Sequence, residues 1–96
     1  MARRGKDPLV RALQLKLAAA KAANGLTWQH ISLAMAQCGI RLSPTNLMSK
    51  QSRGSFKANE LIVLLRLLEV NTLDLSDIDI DGLAQAKAAL QALKNS

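Results

Sequence analysis

Residues 44–53 carry short hydrogen-bonding side chains and long cations at the spacing of a short helix. The segment starts with a proline after Ser43, a typical helix start, and Gly54 follows it as a typical helix end. At about 100° per residue, one side of this helix carries Thr45, Asn46, Ser49, Lys50 and Arg53, and the other carries Pro44, Leu47, Met48 and Gln51. The polar side has no acid, so it can hydrogen-bond to base edges and phosphates in a DNA groove. The alternative is the ordinary solvated side of a short helix.

Some of these side chains have more specific expectations. Asn46 suits adenine, because its amide can both donate to and accept from that base. Lys50 and Arg53 suit guanine or a phosphate. Lys57 lies just after Gly54 and is expected to contact a phosphate at the start of the next helix.

The charge of the chain is divided unevenly between its two halves. The net charge is +6, but residues 1–57 hold ten Lys and Arg against Asp7 alone, whereas residues 58–96 hold three against six acids. A long segment without acids after Asp7 creates a potential that attracts polyanions. Nucleic acid is therefore the expected partner, and an anionic membrane or an acidic protein is the alternative. Arg3 and Arg4 predict either a basic arm along a groove or a solubilising, disordered terminus.

Five helical segments are expected to position the polar side of residues 44–53. Helix 1 runs from Pro8 to about Ala23 with an apolar stripe, and helix 2 runs from Trp28 to about Gln37 with Met35 and Cys38 on its core side. The fourth segment, about 57–69, is apolar in nearly every direction and predicts a buried central helix. A last helix runs from about residue 79 or 81 to Lys94. The Leu- and Ala-rich composition with 2% aromatics agrees with one all-α domain.

Several classes of protein are disfavoured by the residues present. Cys38 is the only cysteine, and His30 has no second ligand at metal spacing, so we expect neither a disulfide nor a zinc site. The acids between 74 and 81 lack the bidentate Glu of a calcium loop, and no nucleophile motif or acid–base pair is present. We therefore expect no enzyme, cofactor or metal. The apolar run 61–68 is interrupted by Arg66 and is too short for a membrane span, so a cytoplasmic, nucleoid-associated protein is predicted.

The second and third segments carry a family resemblance. The stretch from Gly25-Leu26-Thr27 through Ile31, Gly39, Ser43 and Leu47 to Arg53-Gly54 resembles the helix-turn-helix of the phage-repressor and Cro-like superfamily. Leu26-Thr27-Trp28, Leu47-Met48-Ser49-Lys50 and Arg53-Gly54-Ser55-Phe56 are similar to an uncharacterised bacterial variant family of it. The resemblance implies a dimer with helix 3 in the major groove and the start of helix 2 on the DNA backbone. The residues that it would turn toward DNA are Thr27, Gln29, Ser43, Thr45, Asn46, Ser49, Lys50 and Arg53.

The resemblance also suggests how the chain is organised. Residues 1–7 would be a flexible basic arm, residues 8–76 a lambda-repressor-like helix-turn-helix domain built as a compact bundle of four to five helices, and residues 77–96 a C-terminal helix. The apolar stripe of that last helix consists of Leu83, Ala86, Leu90 and Leu93. It either packs back on the bundle or forms a two-fold pair with a second copy.

Together these observations predict a sequence-specific, homodimeric regulator of transcription that binds double-stranded DNA and acts as a repressor. Two alternatives stay open. One is a protein-interaction adaptor whose basic side binds an acidic partner, and the other is a protein that binds structured RNA.

Overall fold

The computed structural model describes residues 7–95, and this part of the chain is all-helical. Its helices are α1 (Pro8–Asn24), α2 (Trp28–Gln37), α3 (Pro44–Arg53), α4 (Ala58–Leu67) and α5 (Leu83–Lys94). The predicted all-α class and the number of helices are confirmed. The predicted bounds of α2 and α3 agree with the structure, whereas α4 is shorter at both ends than the segment 57–69. The basic residues Arg3 and Arg4 lie outside the described residues.

Local sequence signals account for where the first helices begin. The Asp7 carboxylate accepts a hydrogen bond from the Leu9 N–H at 2.7 Å, which satisfies one of the free amide groups at the start of α1. In α2 the Thr27 hydroxyl accepts from the His30 N–H at 3.1 Å, and the Thr27 N–H donates to His30 Nδ1 at 3.2 Å. This reciprocal pair is a capping box in which a histidine takes the place of the usual Glu or Gln.

The core is small and is built from the first four helices. Its buried apolar residues are Leu17 of α1, Ile31 and Met35 of α2, Leu47 of α3, and Leu64 and Leu68 at the C-terminal end of α4. The half-buried residues packed around these six extend only to Val70. The elements that hold α3 in place are therefore α1, α2 and α4.

Three positions correct the predicted apolar faces. Met48 was expected on the core side of α3 but is 53% exposed, and Cys38 was expected on the core side of α2 but is exposed. Ile62 is 63% exposed, so the prediction that α4 is buried on all sides is wrong. The physical reason is the same for all three: each side chain lies on a side of α2, α3 or α4 that no other described helix covers.

The last helix buries none of its residues. The chain reaches it through residues 77–81, where the Lys16 ammonium lies 2.9 Å from the Asp77 carboxylate and so ties this segment to α1. The radius of gyration is 16.5 Å, compared with about 12–13 Å for a compact domain of this length. Helix α5 therefore extends from the bundle instead of packing back on it.

Candidate nucleic-acid interface

The connection between α2 and α3 is fixed by hydrogen bonds to α2. The Ile40 N–H donates to the Met35 carbonyl at 3.0 Å, and the Ser32 hydroxyl donates to the Leu42 carbonyl at 2.6 Å. The second bond joins the middle of α2 to the chain just before α3. Both bonds hold the connection against α2 and so help to fix where α3 begins relative to α2.

The start of α3 presents polar groups to solvent. The Ser43 hydroxyl accepts from the Asn46 N–H at 3.1 Å, and Pro44 has no N–H to satisfy. Thr45 and Asn46 are both exposed, whereas the next residue, Leu47, belongs to the core and is completely buried. A helix start of this kind carries a partial positive charge, and its free amide groups suit an anion.

The exposed side of α3 differs in detail from the side expected from the sequence. Thr45, Asn46 and Arg53 are exposed, and Ser49 is half-buried and accepts a hydrogen bond from the Arg53 guanidinium. Met48 adds an exposed apolar group next to these polar side chains. The exposed side therefore offers hydroxyl, amide and guanidinium groups together with one flexible thioether, and it has no carboxylate.

Lys50 departs from its predicted place on that side. Its ammonium lies 3.2 Å from Glu60 Oε1, and its side chain is only 23% exposed. The same carboxylate oxygen accepts the Lys57 N–H at 2.8 Å and so caps α4. Lys50 lies at the edge of the helix, where the buried Glu60 draws it toward α4, and the sequence did not indicate this pairing.

The ionisation of Glu60 depends on these contacts. Burial alone would raise the pKa of its carboxyl, and it is the strongest single influence on this group. The hydrogen bond from the Lys57 N–H and the nearby Lys50 ammonium together outweigh it, so the pKa of Glu60 lies below its ordinary value. The group is thus a carboxylate at neutral pH, and it holds the end of α3 near the start of α4.

The end of α3 is joined to α1 by a pair of amide side chains that sequence reasoning missed. Gln14 is buried, and its Nε2 donates to the Gln51 carbonyl at 2.8 Å and to the Ser52 carbonyl at 2.9 Å. Gln51 Nε2 donates in return to the Gln14 carbonyl at 3.0 Å. The only signal in the sequence is that Gln14 lies next to Val10 at the edge of the apolar stripe of α1.

Gly54 allows this close approach of α3 and α1. Its φ of 65° is in the left-handed region that favours glycine. A Cβ atom at this position would lie 2.1 Å from Val10 Cγ1, so any other residue requires the Val10 side chain or α1 itself to shift. The glycine predicted as the end of the helix therefore also sets the distance between two helices.

The remaining predicted residues are accessible. Thr27 and Gln29 at the start of α2, Ser43 before α3, and Lys57 before α4 are all exposed. Arg41, which was not singled out in the sequence, is also exposed and lines a shallow groove with Leu33 and Ser43. Among the residues that the structure describes, Arg41 has no carboxylate partner, whereas Lys16 and Lys50 have one each.

Two further findings concern membranes and metals. Within residues 7–95, no helix is both long and apolar enough to cross a bilayer. In the same range, no group of three or more His, Cys, Asp or Glu side chains is arranged to hold a metal ion.

The fold and this surface define an all-α protein in which α2 and α3 pack together across a short, hydrogen-bonded connection. A family model described as "Domain of unknown function (DUF6471)" matches residues 10–73, and the chain belongs to this family. The matched part includes α2, α3, α4 and nearly all of α1, together with all six core residues, and it ends before α5. Searches of curated proteins and of solved structures gave no match.

Proposed function

We propose that this chain is a sequence-specific regulator of transcription that binds double-stranded DNA by inserting α3 into the major groove. The observation that carries the proposal is the exposed side of α3, where Thr45, Asn46 and Arg53 are accessible and no carboxylate is present. These are the side-chain types that hydrogen-bond to base edges and phosphates. A merely solvated helix would tolerate acids equally well, and none occurs between Asp7 and Glu60.

The charge distribution supports the same proposal. The acidic half of the chain neutralises Lys16 and Lys50, which form ion pairs with Asp77 and Glu60. Arg41, Arg53 and Lys57 are exposed and make no ion pair within residues 7–95. Their charges stay available to phosphates, so binding should release counterions and weaken as salt is added.

In this proposal each group has a definite task. Asn46 hydrogen-bonds to adenine, Arg53 binds guanine or a phosphate, and Thr27 and Gln29 contact the DNA backbone at the start of α2. Met48 makes an apolar contact with the groove, for which a thymine methyl group is the natural partner. The protein acts as a repressor by occupying its site, in the cytoplasm and on the nucleoid.

The first test is selection of bound sequences from random duplex DNA, followed by anisotropy titration of the selected duplex at several salt concentrations. We expect log K to fall by about 0.9 per unit of log salt for each phosphate neutralised. Asn46→Ala should lower affinity for the selected duplex by about 1–3 kcal/mol and broaden the preference at one base pair. Gln85→Ala, on the exposed helix α5, is the matched control and should leave binding unchanged.

Other outcomes would contradict the proposal in distinct ways. A salt-independent affinity, or no duplex affinity at physiological salt, would exclude it. Equal binding to polyglutamate would instead favour a basic surface for an acidic protein partner. Stronger competition by structured RNA than by duplex DNA would favour an RNA-binding protein.

A further inference from the structure

Helix α5 carries an apolar stripe that no other part of the described chain covers. All of its residues from 83 to 94 are exposed, including Leu83 at 38% and Leu90 at 59%. Leu93, at 71%, and Ala86 complete the stripe on the same side of the helix. In water, a helix that is apolar on one side gains most of its stability from burying that side against a partner. The core of the domain ends at Val70 and offers no place for it.

The spacing of the stripe fits a second copy of itself. Its residues are separated by intervals of three, four and three, so the spacing is identical when it is followed from either end. In an antiparallel pair, Leu83 of one copy therefore faces Leu93 of the other, and Ala86 faces Leu90. The small Ala86 leaves room for the larger Leu90, so the two helices can approach closely. We propose that α5 binds α5 of a second copy of this chain as an antiparallel pair and makes the protein a homodimer.

The charges next to the stripe favour the antiparallel direction. In an antiparallel pair the Lys94 end of α5 in one copy lies next to the start of α5 in the other, which Asp79 and Asp81 precede in the chain, and the same arrangement is repeated at the opposite end of the pair. All three of these side chains are exposed and free to meet. A parallel pair would bring the acids of both copies together at one end and the lysines together at the other. It would also align the two helix dipoles in the same direction.

Lys87 is the one charge that opposes this arrangement. It lies on the same edge of the stripe as Lys94, and it meets Lys87 of the second copy close to the two-fold axis. Both side chains are long and exposed, so they can extend into solvent, where salt screens their repulsion. Lys87 therefore weakens the pair slightly. Because position 87 meets itself only in the antiparallel pair, a change of its charge can reveal the direction of pairing.

The length of α5 sets the strength of the pair. Its 12 residues span about 18 Å, so two such helices bury less than the roughly 1,200–2,000 Å² of a standard stable interface. We expect a dimer that dissociates on dilution through the micromolar range. The pairing rests on α5 alone and does not depend on whether the chain binds DNA.

The test is sedimentation equilibrium of the full chain over a range of protein concentrations. Wild type should shift from monomer to dimer, and Leu90→Asp should stay monomeric at every concentration used. Leu33→Asp is the matched control, because Leu33 is similarly exposed, at 65%, but lies on α2, and this variant should still dimerise. Far-UV circular dichroism of each variant shows whether the helices remain. A monomeric wild type, or equal dimerisation by Leu90→Asp, would overturn the proposal.

A second measurement tests the direction of the pair. Isotope-labelled Lys87→Glu protein is mixed with unlabelled wild type, and the dimers are counted by native mass spectrometry. In an antiparallel pair position 87 meets itself, so the mixed dimer should exceed its statistical share and should lose this excess at high salt. A statistical mixture at low salt would overturn the antiparallel pair, because position 87 would then lie on opposite edges of the two helices.

Discussion

Replacing Gln14 by Ala is a direct test of how α3 is held in place. The substitution removes two hydrogen bonds from Gln14 Nε2, to the Gln51 and Ser52 carbonyls, and each contributes about 0.5–1.5 kcal/mol. It also removes one buried CH₂ group, at about 0.8 kcal/mol. The entropy gained by not ordering a long side chain offsets about 1.5 kcal/mol of this loss. The expected net loss in the free energy of unfolding is therefore about 1.3 kcal/mol.

Urea titration followed by far-UV circular dichroism measures this loss directly. For a domain of this size, a loss of about 1.3 kcal/mol corresponds to a fall in Tm of about 5–10 °C. Gln85→Ala is the matched control, because Gln85 is exposed on α5, and it should change stability by less than about 0.5 kcal/mol. If Gln14→Ala were as stable as this control, the amide pair between α1 and α3 would contribute nothing, and our account of how α3 is positioned would be refuted.

Three further predictions follow from the same contacts. Gly54→Ala should lower the free energy of unfolding, measured by urea titration, by more than about 1–2 kcal/mol, because a clash with Val10 adds to the cost of a left-handed backbone. Adding Val10→Ala to the same chain should restore only the part of the stability that the clash removes. Because the folded-state pKa of Glu60 is lowered, its stabilising effect is complete above the unfolded value of about 4.3 and is lost as pH falls through the folded value. Glu60→Gln should therefore be less stable than wild type at neutral pH, and its Tm should change less than that of wild type between about pH 5 and 3. Lys57→Ala should weaken binding to all DNA duplexes alike and reduce the salt slope by about 0.9, whereas Arg66→Ala, at the other end of α4, should not.

The starts and ends of the first three helices were predictable because they depend on neighbouring residues. Asp7, Thr27 and Ser43 each accept from an N–H two or three residues further along the chain, so the signal lies within one turn. The start of α5 shows the limit of such signals. Asp79 and Asp81 suggested a start near themselves, but the helix begins only at Leu83, after Gly82 has adopted a left-handed conformation.

The side-chain contacts around α3 were not predictable, because they join residues that are far apart in the sequence. Gln14 bonds to carbonyls 37 and 38 residues away, and Lys50 finds Glu60 across the junction between two helices. Helical periodicity places Met48 at the border of the core side, and only the packed structure shows that α1, α2 and α4 leave it uncovered. The sequence therefore predicted which kinds of residue form the candidate site. It did not predict the partner of Lys50 or the exposure of Met48.

The end of α3 is held by two sets of contacts, one made by Gln14 and one by Lys50. Under the proposed function, the residues that position α3 are therefore different from the residues that would bind DNA. Lys50 forms an ion pair with Glu60 and so joins α3 to α4. Gln14 joins α3 to α1 through hydrogen bonds between uncharged groups. Neither contact uses Thr45, Asn46 or Arg53, so substitution of these residues should leave α3 in its place. A shift of Lys50 to a phosphate would leave the Glu60 carboxylate with the Lys57 N–H but without its closest cation, which costs stability because this carboxylate is mostly shielded from solvent. Under the proposed function, base recognition therefore rests on the first half of α3 and on Arg53, and the Lys50 charge serves to hold the helix at a fixed angle.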